Sequence, residues 1–287
     1  MKLVAFGEVL WDVYPDNKYI GGAPLNFAAH SAKLGASSYL LSAVGDDELA
    51  KDTLQSVKKF NINTDYIGVV SGKQTGKCLV TLDEKSVPSY NLLNDVAWDN
   101  ISFNAKNDNF DALYFGTLAL RSGHNRETLK ALLQNHRFNE VFVDVNIRPP
   151  FYSDVVIDFA FKNATILKIS DEELETTLKA VKIDFSDDFS AVSRSVTAKY
   201  SNIKILIITR GGEGAAAFDA VSGEFYEVPS EKAEVVSTVG AGDSFSAAFL
   251  NKYSNGTSVA ESLGFASRLA AFVVANYDAV PDYNGYD

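Results

Sequence analysis

Two glycine-bearing runs hold the side chains with the clearest chemical potential. The later one is Ser237-Thr238-Val239-Gly240-Ala241-Gly242-Asp243-Ser244-Phe245, and an apolar stretch follows it. Glycine lets a backbone approach a ligand closely and take dihedrals that other residues avoid. A helix starting at Ala241 would leave its first N–H groups unpaired and aim them, with the positive end of its dipole, at one point. Gly240, Ala241 and Gly242 would then form a hole for an anion such as a transferring phosphoryl group. Asp243, in the first turn, could take the proton of an attacking hydroxyl. The same run also reads as an ordinary helix start capped by an aspartate.

The earlier run is Gly21-Gly22-Ala23-Pro24-Leu25-Asn26, again a glycine turn entering a helix. Gly22 would allow close backbone approach to a polar ligand. The Asn26 amide can donate to and accept from hydroxyls together. Asp12, at the end of the first strand, could bind hydroxyls with both carboxylate oxygens. By itself this run fits a tight turn with a polar helix residue equally well.

The elements that must position these residues alternate. Residues 2–8 read as a buried strand. Residues 25–34 have helical apolar spacing (Leu25, Ala28, Ala29, Ala32) and stop before Gly35. An apolar run at 39–44 precedes a helix from about 46 to 59. The alternation recurs at 112–115 with 126–136, at 141–145 with a helix after Ser153, and at 166–169 with 171–180. Residues 205–208 close the series, and 241–253 and 259–276 read as two apolar helices. This order predicts one α/β domain over residues 1–287, with a mostly parallel central sheet covered on both faces. Residues 12–22 and 66–97 lack helical periodicity. The second stretch is rich in Val, Thr and Tyr, with turn signals at Ser71-Gly72 and Asp83-Glu84. They predict a small inserted β-sheet, serving as a substrate lid, a dimerisation sheet, or both, since short strands alone make a poor independent unit.

Composition removes several classes. The 287 residues carry a formal net charge of −11, which disfavours non-specific binding to nucleic acid or an anionic membrane. It does not disfavour ATP, whose phosphates can be held by backbone N–H groups. The single cysteine, Cys78, permits no intrachain disulfide and reads as a small buried residue. No run has the length of a membrane-spanning helix, and the N-terminus lacks a signal-peptide pattern, so a cytoplasmic location is expected. His30, His124 and His136 show no metal-ligand spacing and read as surface or structural residues. No G-x-G-x-x-G follows the first strand and no G-x-x-x-x-G-K-[ST] occurs, which disfavours a Rossmann dehydrogenase and a P-loop enzyme.

The two glycine runs together resemble the two signatures of the ribokinase-like (PfkB) carbohydrate kinases. Between them lie Asp144-Val145-Asn146-Ile147-Arg148, similar to the family's D-x-N-x-R, and Lys168-Ile169-Ser170-Asp171-Glu172-Glu173, at the place of its N-x-x-E. Thr209-Arg210-Gly211-Gly212-Glu213-Gly214 then resembles its T-x-G-x-x-G loop. The resemblance covers nearly the whole chain. It implies an ATP-dependent sugar kinase with Asp243 as base and Gly240, Ala241 and Gly242 as anion hole. Asp12, Gly22 and Asn26 would hold sugar hydroxyls. Thr209, Gly211 and Gly214 would hold ATP, with Ser267 near the adenine. Glu173 would organise Mg²⁺ through water. Within the family, GGAPLNFAAHSAKLG and Phe115-Gly116-Thr117-Leu118-Ala119-Leu120-Arg121 look most like bacterial fructokinase. Arg121 and Arg148 thereby become candidates for substrate or phosphate contact, with a structural ion pair as the other reading of each.

Two residues depart from the pattern. Ser170 replaces the family's asparagine, with Asp171 as a candidate compensator. Ser237 replaces an aspartate that helps hold a monovalent cation, so potassium activation is not expected. The expected reaction is phosphorylation of a primary hydroxyl, D-fructose to fructose 6-phosphate. The alternatives are a kinase for 2-keto-3-deoxygluconate, ribose or a nucleoside, and a catalytically silent sugar- or nucleotide-sensing protein. The expected partners are a small sugar, ATP and, through the lid sheet, a second copy of the chain.

Overall fold

A computed structural model describes residues 1–82, 88–103, 108–284 and 286. The expected turn at Asp83-Glu84 lies outside these residues. The main sheet is built from short strands that are apolar on both faces. They include β1 (Lys2–Phe6), β4 (Ser37–Gly45), β8 (Ala112–Gly116), β9 (Glu140–Asp144), β10 (Ile166–Ser170) and β11 (Ile205–Thr209). All five residues of β8 are buried, and so are all but the first of β1 and β9. Continuous burial of this kind belongs to a parallel sheet with helices on both faces. With β5 (Ile67–Val70), β12 (Ala215–Asp219) and β13 (Glu224–Val228), the nine strands run β13-β12-β11-β10-β9-β8-β1-β4-β5. Pairing is parallel from β5 to β11, and β12 and β13 fold back antiparallel.

From β1 the chain crosses to β4 on one side, whereas β8 lies on the other side and leads to β9. The strand order therefore reverses between β1 and β8. In open α/β sheets a crevice opens outside the carboxyl ends of the strands at such a point. Glu8 follows the end of β1, Asp144 ends β9, Ser170 ends β10 and Thr209 ends β11. The sheet thus delivers four polar positions to one edge.

A separate four-stranded sheet has the order β3-β2-β6-β7, from β2 (Leu10–Val13), β3 (Lys18–Gly21), β6 (Gly76–Leu82) and β7 (Pro88–Leu92). It is the expected small sheet with narrower bounds. β5 pairs with β4 and buries Ile67, so it belongs to the main sheet. Ala97 opens a short 3-10 helix whose Trp98 is fully buried in the main core.

The helices are α1 (Ala23–Lys33), α2 (Glu48–Lys59), α3 (Gly123–Asn135), α4 (Asp154–Asn163), α5 (Asp171–Ala180), α6 (Phe189–Lys199), α7 (Ala241–Ser254) and α8 (Val259–Val274). Among the described residues none is long and apolar enough to cross a membrane. Side-chain caps set several starts, with Asp47, Ser153 and Ser258 each accepting an N–H three residues on.

Helices α1 and α7 matter most for function. Leu25, Phe27, Ala28 and Ala29 of α1 share one core with Phe245 and residues 247–250 of α7. Near their starts, Asn26 Nδ2 donates to Asp243 Oδ2 at 2.8 Å. Further along, Asn251 Nδ2 donates to the Leu34 carbonyl at 3.1 Å. The two contacts are eight residues apart on each helix, so α1 and α7 run parallel and in step. Both N-termini, and both glycine runs, therefore open at the same end.

Candidate active site

Gly22 precedes α1 with φ of 117°, and a Cβ there would lie 2.5 Å from the Glu8 carbonyl oxygen. Only glycine allows that approach, and it presses the start of α1 against the end of β1. Glu8 is 4% exposed, and the backbone of Glu8 and Ala23 opposes, in part, the cost of burying its carboxylate. Burial, with Asp243 nearby, pushes its pKa up to about 7. Asp12 belongs to the same corner, because a Cβ on Gly21 would sit 3.1 Å from its Oδ2. Its register partner across β2 and β6 is Cys78. Burial raises the Asp12 carboxyl and, helped by Asp12, pushes the Cys78 thiol up to about 11. Cys78 is buried, as expected, but its neighbour is a carboxylate.

Opposite, Gly240 takes the left-handed conformation (φ 82°) and α7 begins at Ala241. The Ala241 amide makes a long bond to the Thr238 carbonyl, 3.4 Å. The Gly242 and Asp243 amides have no partner among the described residues. Free amides thus stand at one helix N-terminus, with a second, parallel N-terminus beside it, the arrangement that a hole for an anion would need. Asp243 is partly buried, and desolvation pushes its pKa up to about 6 against the opposing bond from Asn26. A carboxyl poised near neutrality is a suitable general base.

Behind Asp243 lies a buried ion pair, Lys168 Nζ to Asp144 Oδ2 at 2.7 Å, with Ser246 Oγ 3.2 Å from the same oxygen. Tyr114, stacked on Phe27 at 3.8 Å between ring centres, is fully buried, and its hydroxyl has no partner among the described residues. Its pKa is raised by burial first, then by Asp144, Asp243 and Glu8. Arg148 is exposed, yet its charge opposes the upward shifts of Glu8 and Asp243.

Glu173 ties two motifs together. Its Oε1 accepts the Ile147 amide at 2.5 Å, and its Oε2 accepts Ser170 Oγ at 2.8 Å and the Ser170 amide at 3.2 Å. Ser170 thus forms a capping box with Glu173, while Asp171 accepts only the Glu172 amide. Among the described residues no three His, Cys, Asp or Glu side chains converge to hold a metal. That donor set suits an ion bound chiefly by nucleotide phosphates and water, with one carboxylate in support.

In the loop expected to hold ATP, Thr209 ends β11 and pairs with Ser170 and Ala215. Gly211 (φ 48°) opens a single 3-10 turn that Gly214 closes. A Cβ on Gly214 would lie 2.1 Å from the Val228 carbonyl, and Ser267 Oγ donates to the Pro229 carbonyl at 3.2 Å. The loop and Ser267 therefore flank one segment. Ser237 spends its hydroxyl locally, accepting the Val239 amide at 3.3 Å.

Arg121 stands apart. Its Nε and Nη2 each donate to Asp99 at 2.8 Å, Nη2 also donates to the Leu93 carbonyl, and its guanidinium lies over Trp98 and Phe151. The ion-pair reading describes these contacts, and only Nη1 has no partner.

Sequence reasoning assigned no role to Glu8, Tyr114 or Lys168. Lys168 carried a usable signal, a lysine amid Ile and Leu in a strand that had to be buried. It also left His30 undistinguished. His30 is fully buried, with Nδ1 2.5 Å from the Tyr283 hydroxyl and Nε2 2.9 Å from the Ala279 carbonyl. Burial pushes its pKa down from 6.5 to about 4. Between those values the unfolded chain binds a proton that the native state refuses. Stability is therefore complete above pH 6.5 and falls as pH drops towards 4, by about 3 kcal/mol in full. Urea unfolding should show wild type losing about 2 kcal/mol more than His30→Asn between pH 7.5 and 4.5.

The fold is an α/β sheet with two glycine-led helix starts at one mouth, and the match to a kinase family makes it a phosphotransferase. The family model described as pfkB family carbohydrate kinase matches residues 3–283, and the chain belongs to that family. It is 26% identical to 5-dehydro-2-deoxygluconokinase 2 of Bacillus cereus, over 92% of this chain and 83% of that one. It is 27% identical to the fructokinase of Salmonella typhimurium (87% and 83%) and 30% identical to the fructosamine kinase of Bacillus subtilis (100% and 94%). An uncharacterized sugar kinase from Pyrococcus horikoshii, solved in complex with ATP, superposes with a TM-score of 0.80 at 25% identity, covering 97% and 94%. The expected family and ribokinase-like fold are both borne out.

Proposed function

We propose that this sugar kinase transfers the γ-phosphoryl group of ATP to a primary hydroxyl of a furanose, with D-fructose as first candidate and fructose 6-phosphate as product. The observation that carries this reading is the Asn26–Asp243 hydrogen bond beside the free amides of Gly242 and Asp243. A hydroxyl held by Asp12 and Asn26 would face both its base and the phosphoryl group. Asp243 takes the hydroxyl proton as the oxygen attacks phosphorus, and the α7 amides and dipole stabilise charge on the phosphoryl oxygens. Magnesium carried on the nucleotide, supported through water by Glu173, would neutralise phosphate charge. Thr209, Gly211 and Gly214 hold the nucleotide. The small sheet shields the site from water, which limits wasteful hydrolysis of ATP.

The choice of fructose rests on the GGAPLNFAAHSAKLG run and on Phe115 to Arg121. The likeness to a 5-dehydro-2-deoxygluconokinase favours a second reading, an acidic sugar at the same hydroxyl pocket. ADP release should be measured with ATP and Mg²⁺ against D-fructose, 5-dehydro-2-deoxygluconate, 2-keto-3-deoxygluconate, a fructosamine, ribose and a nucleoside, with and without potassium. Fructose should give the highest kcat/KM, with little effect of potassium. A tenfold preference for any other sugar would overturn the fructose assignment.

A further inference from the structure

A buried cation stands against the first turn of α7, and the reading above does not use it. Lys168, on β10, is only 5% exposed. A Cβ placed on Gly242 would lie 3.4 Å from its Nζ, so the ammonium stands against the first turn of α7, where the amides are free. An ammonium has three donors. One goes to Asp144 Oδ2 at 2.7 Å, and the other two have no acceptor among the described residues. Arg121, by contrast, is paired to both oxygens of Asp99 and to a carbonyl. Lys168 is held from one side only. The groups facing it are Asp144, Glu173 and Asp243, with Arg148 acting on the same carboxyl.

Burying an ion pair is costly, and an apolar pair of equal volume serves packing as well or better. A charge kept at such cost, with open donors at a helix N-terminus, has the form of a preorganised site for developing negative charge. We propose that Lys168 is a further catalytic residue, donating to an oxygen of the phosphoryl group in flight. This rests on the kinase reading. Asp144 is its positioning residue. Ser246 links the pair to α7, since its Oγ is also 2.9 Å from the Gly242 carbonyl. In the transfer the sugar oxygen bonds phosphorus and the bridging P–O bond breaks. Its electron pair leaves on ADP, and the hydroxyl proton goes to Asp243. Lys168 keeps its proton throughout.

The test uses Lys168→Met and the double variant Lys168→Met/Asp144→Asn, which leaves no unpaired buried charge. Two quantities are measured. The first is kcat with the best sugar. The second is calorimetric affinity for ADP with aluminium fluoride, a mimic of the phosphoryl group, compared with ADP alone. The double variant should fold, lose 100-fold or more in kcat with the sugar KM within threefold, and lose the fluoride-dependent gain in affinity while still binding ADP. A folded double variant with kcat within threefold of wild type, or with the full fluoride-dependent gain, overturns the proposal. The affinity measurement needs no turnover. A wild type that phosphorylates no sugar yet shows a Lys168-dependent gain would sink the kinase reading alone.

Discussion

Asp243→Asn should cost at least 100-fold in kcat and at the same time make the protein more stable at neutral pH. The loss follows from removing the base, since a well-placed base contributes about 100- to 10,000-fold. The gain follows from where the carboxyl sits. Asp243 is partly withdrawn from water and its folded pKa is about 6, against an ordinary value of 3.8. The folded state therefore holds the proton more tightly than the unfolded chain. Above pH 6 the ionised carboxylate is a full cost to the fold, about 3 kcal/mol, and that cost is relieved as pH falls from 6 towards 3.8. Asparagine removes the charge and keeps the shape, so most of the cost should disappear. Thermal unfolding at pH 7.5 should rise by several degrees, and the difference from wild type should shrink at pH 5. In the wild type, kcat/KM should fall as pH drops through about 6, because the protonated carboxyl cannot act as base. A variant retaining more than about a tenth of wild-type kcat would remove Asp243 from the role of base. A variant that is inactive but no more stable would mean that the ionised carboxylate is better compensated, by Asn26 and Lys168, than its burial implies.

Much of this site was legible because its chemistry is local. A glycine pair before an apolar helix can be read one residue at a time, and both runs did become the starts of helices. The bounds of α5 were legible for the same reason: Ser170 and Glu173 are three apart and cap one another. What could not be read depends on distant partners. His30 gains its meaning from Ala279 and Tyr283, far along the chain. The parallel running of α1 and α7 rests on contacts between helices joined only through the sheet. β5 has the composition of the inserted sheet, and its allegiance to β4 is a matter of tertiary pairing. The hairpin of β12 and β13 was missed because Ala215, Ala216 and Ala217 give no alternation, although all three are buried. α6 was missed because Val192 and Val196 mark its buried face so sparsely. Glu8 fell at the end of the expected strand 2–8 with no role assigned, and only the approach of Gly22 and the nearness of Asp243 single it out.

Gly240→Ala should severely damage catalysis although it adds only one methyl group. Two effects act together. Gly240 has φ of 82°, a conformation that costs an alanine about 1–2 kcal/mol. The added Cβ would also lie 2.4 Å from the Ala279 carbonyl oxygen, contact that no relaxation of a flexible side chain can relieve. That carbonyl is held from its other side by His30 Nε2, so the segment cannot simply withdraw. The first turn of α7 must move instead, taking the Gly242 and Asp243 amides out of register with the phosphoryl group. Displacing one such donor costs about 100- to 1,000-fold in kcat. Gly256→Ala provides the control. Gly256 has nearly the same φ, 85°, with nothing within 4 Å of an added Cβ. It should lose about 1–2 kcal/mol of stability from the backbone alone and keep its kcat. Equal kcat values for the two variants would mean that left-handed strain, and not the packing of Gly240 on Ala279, governs this position, and that the anion hole tolerates a shift of α7.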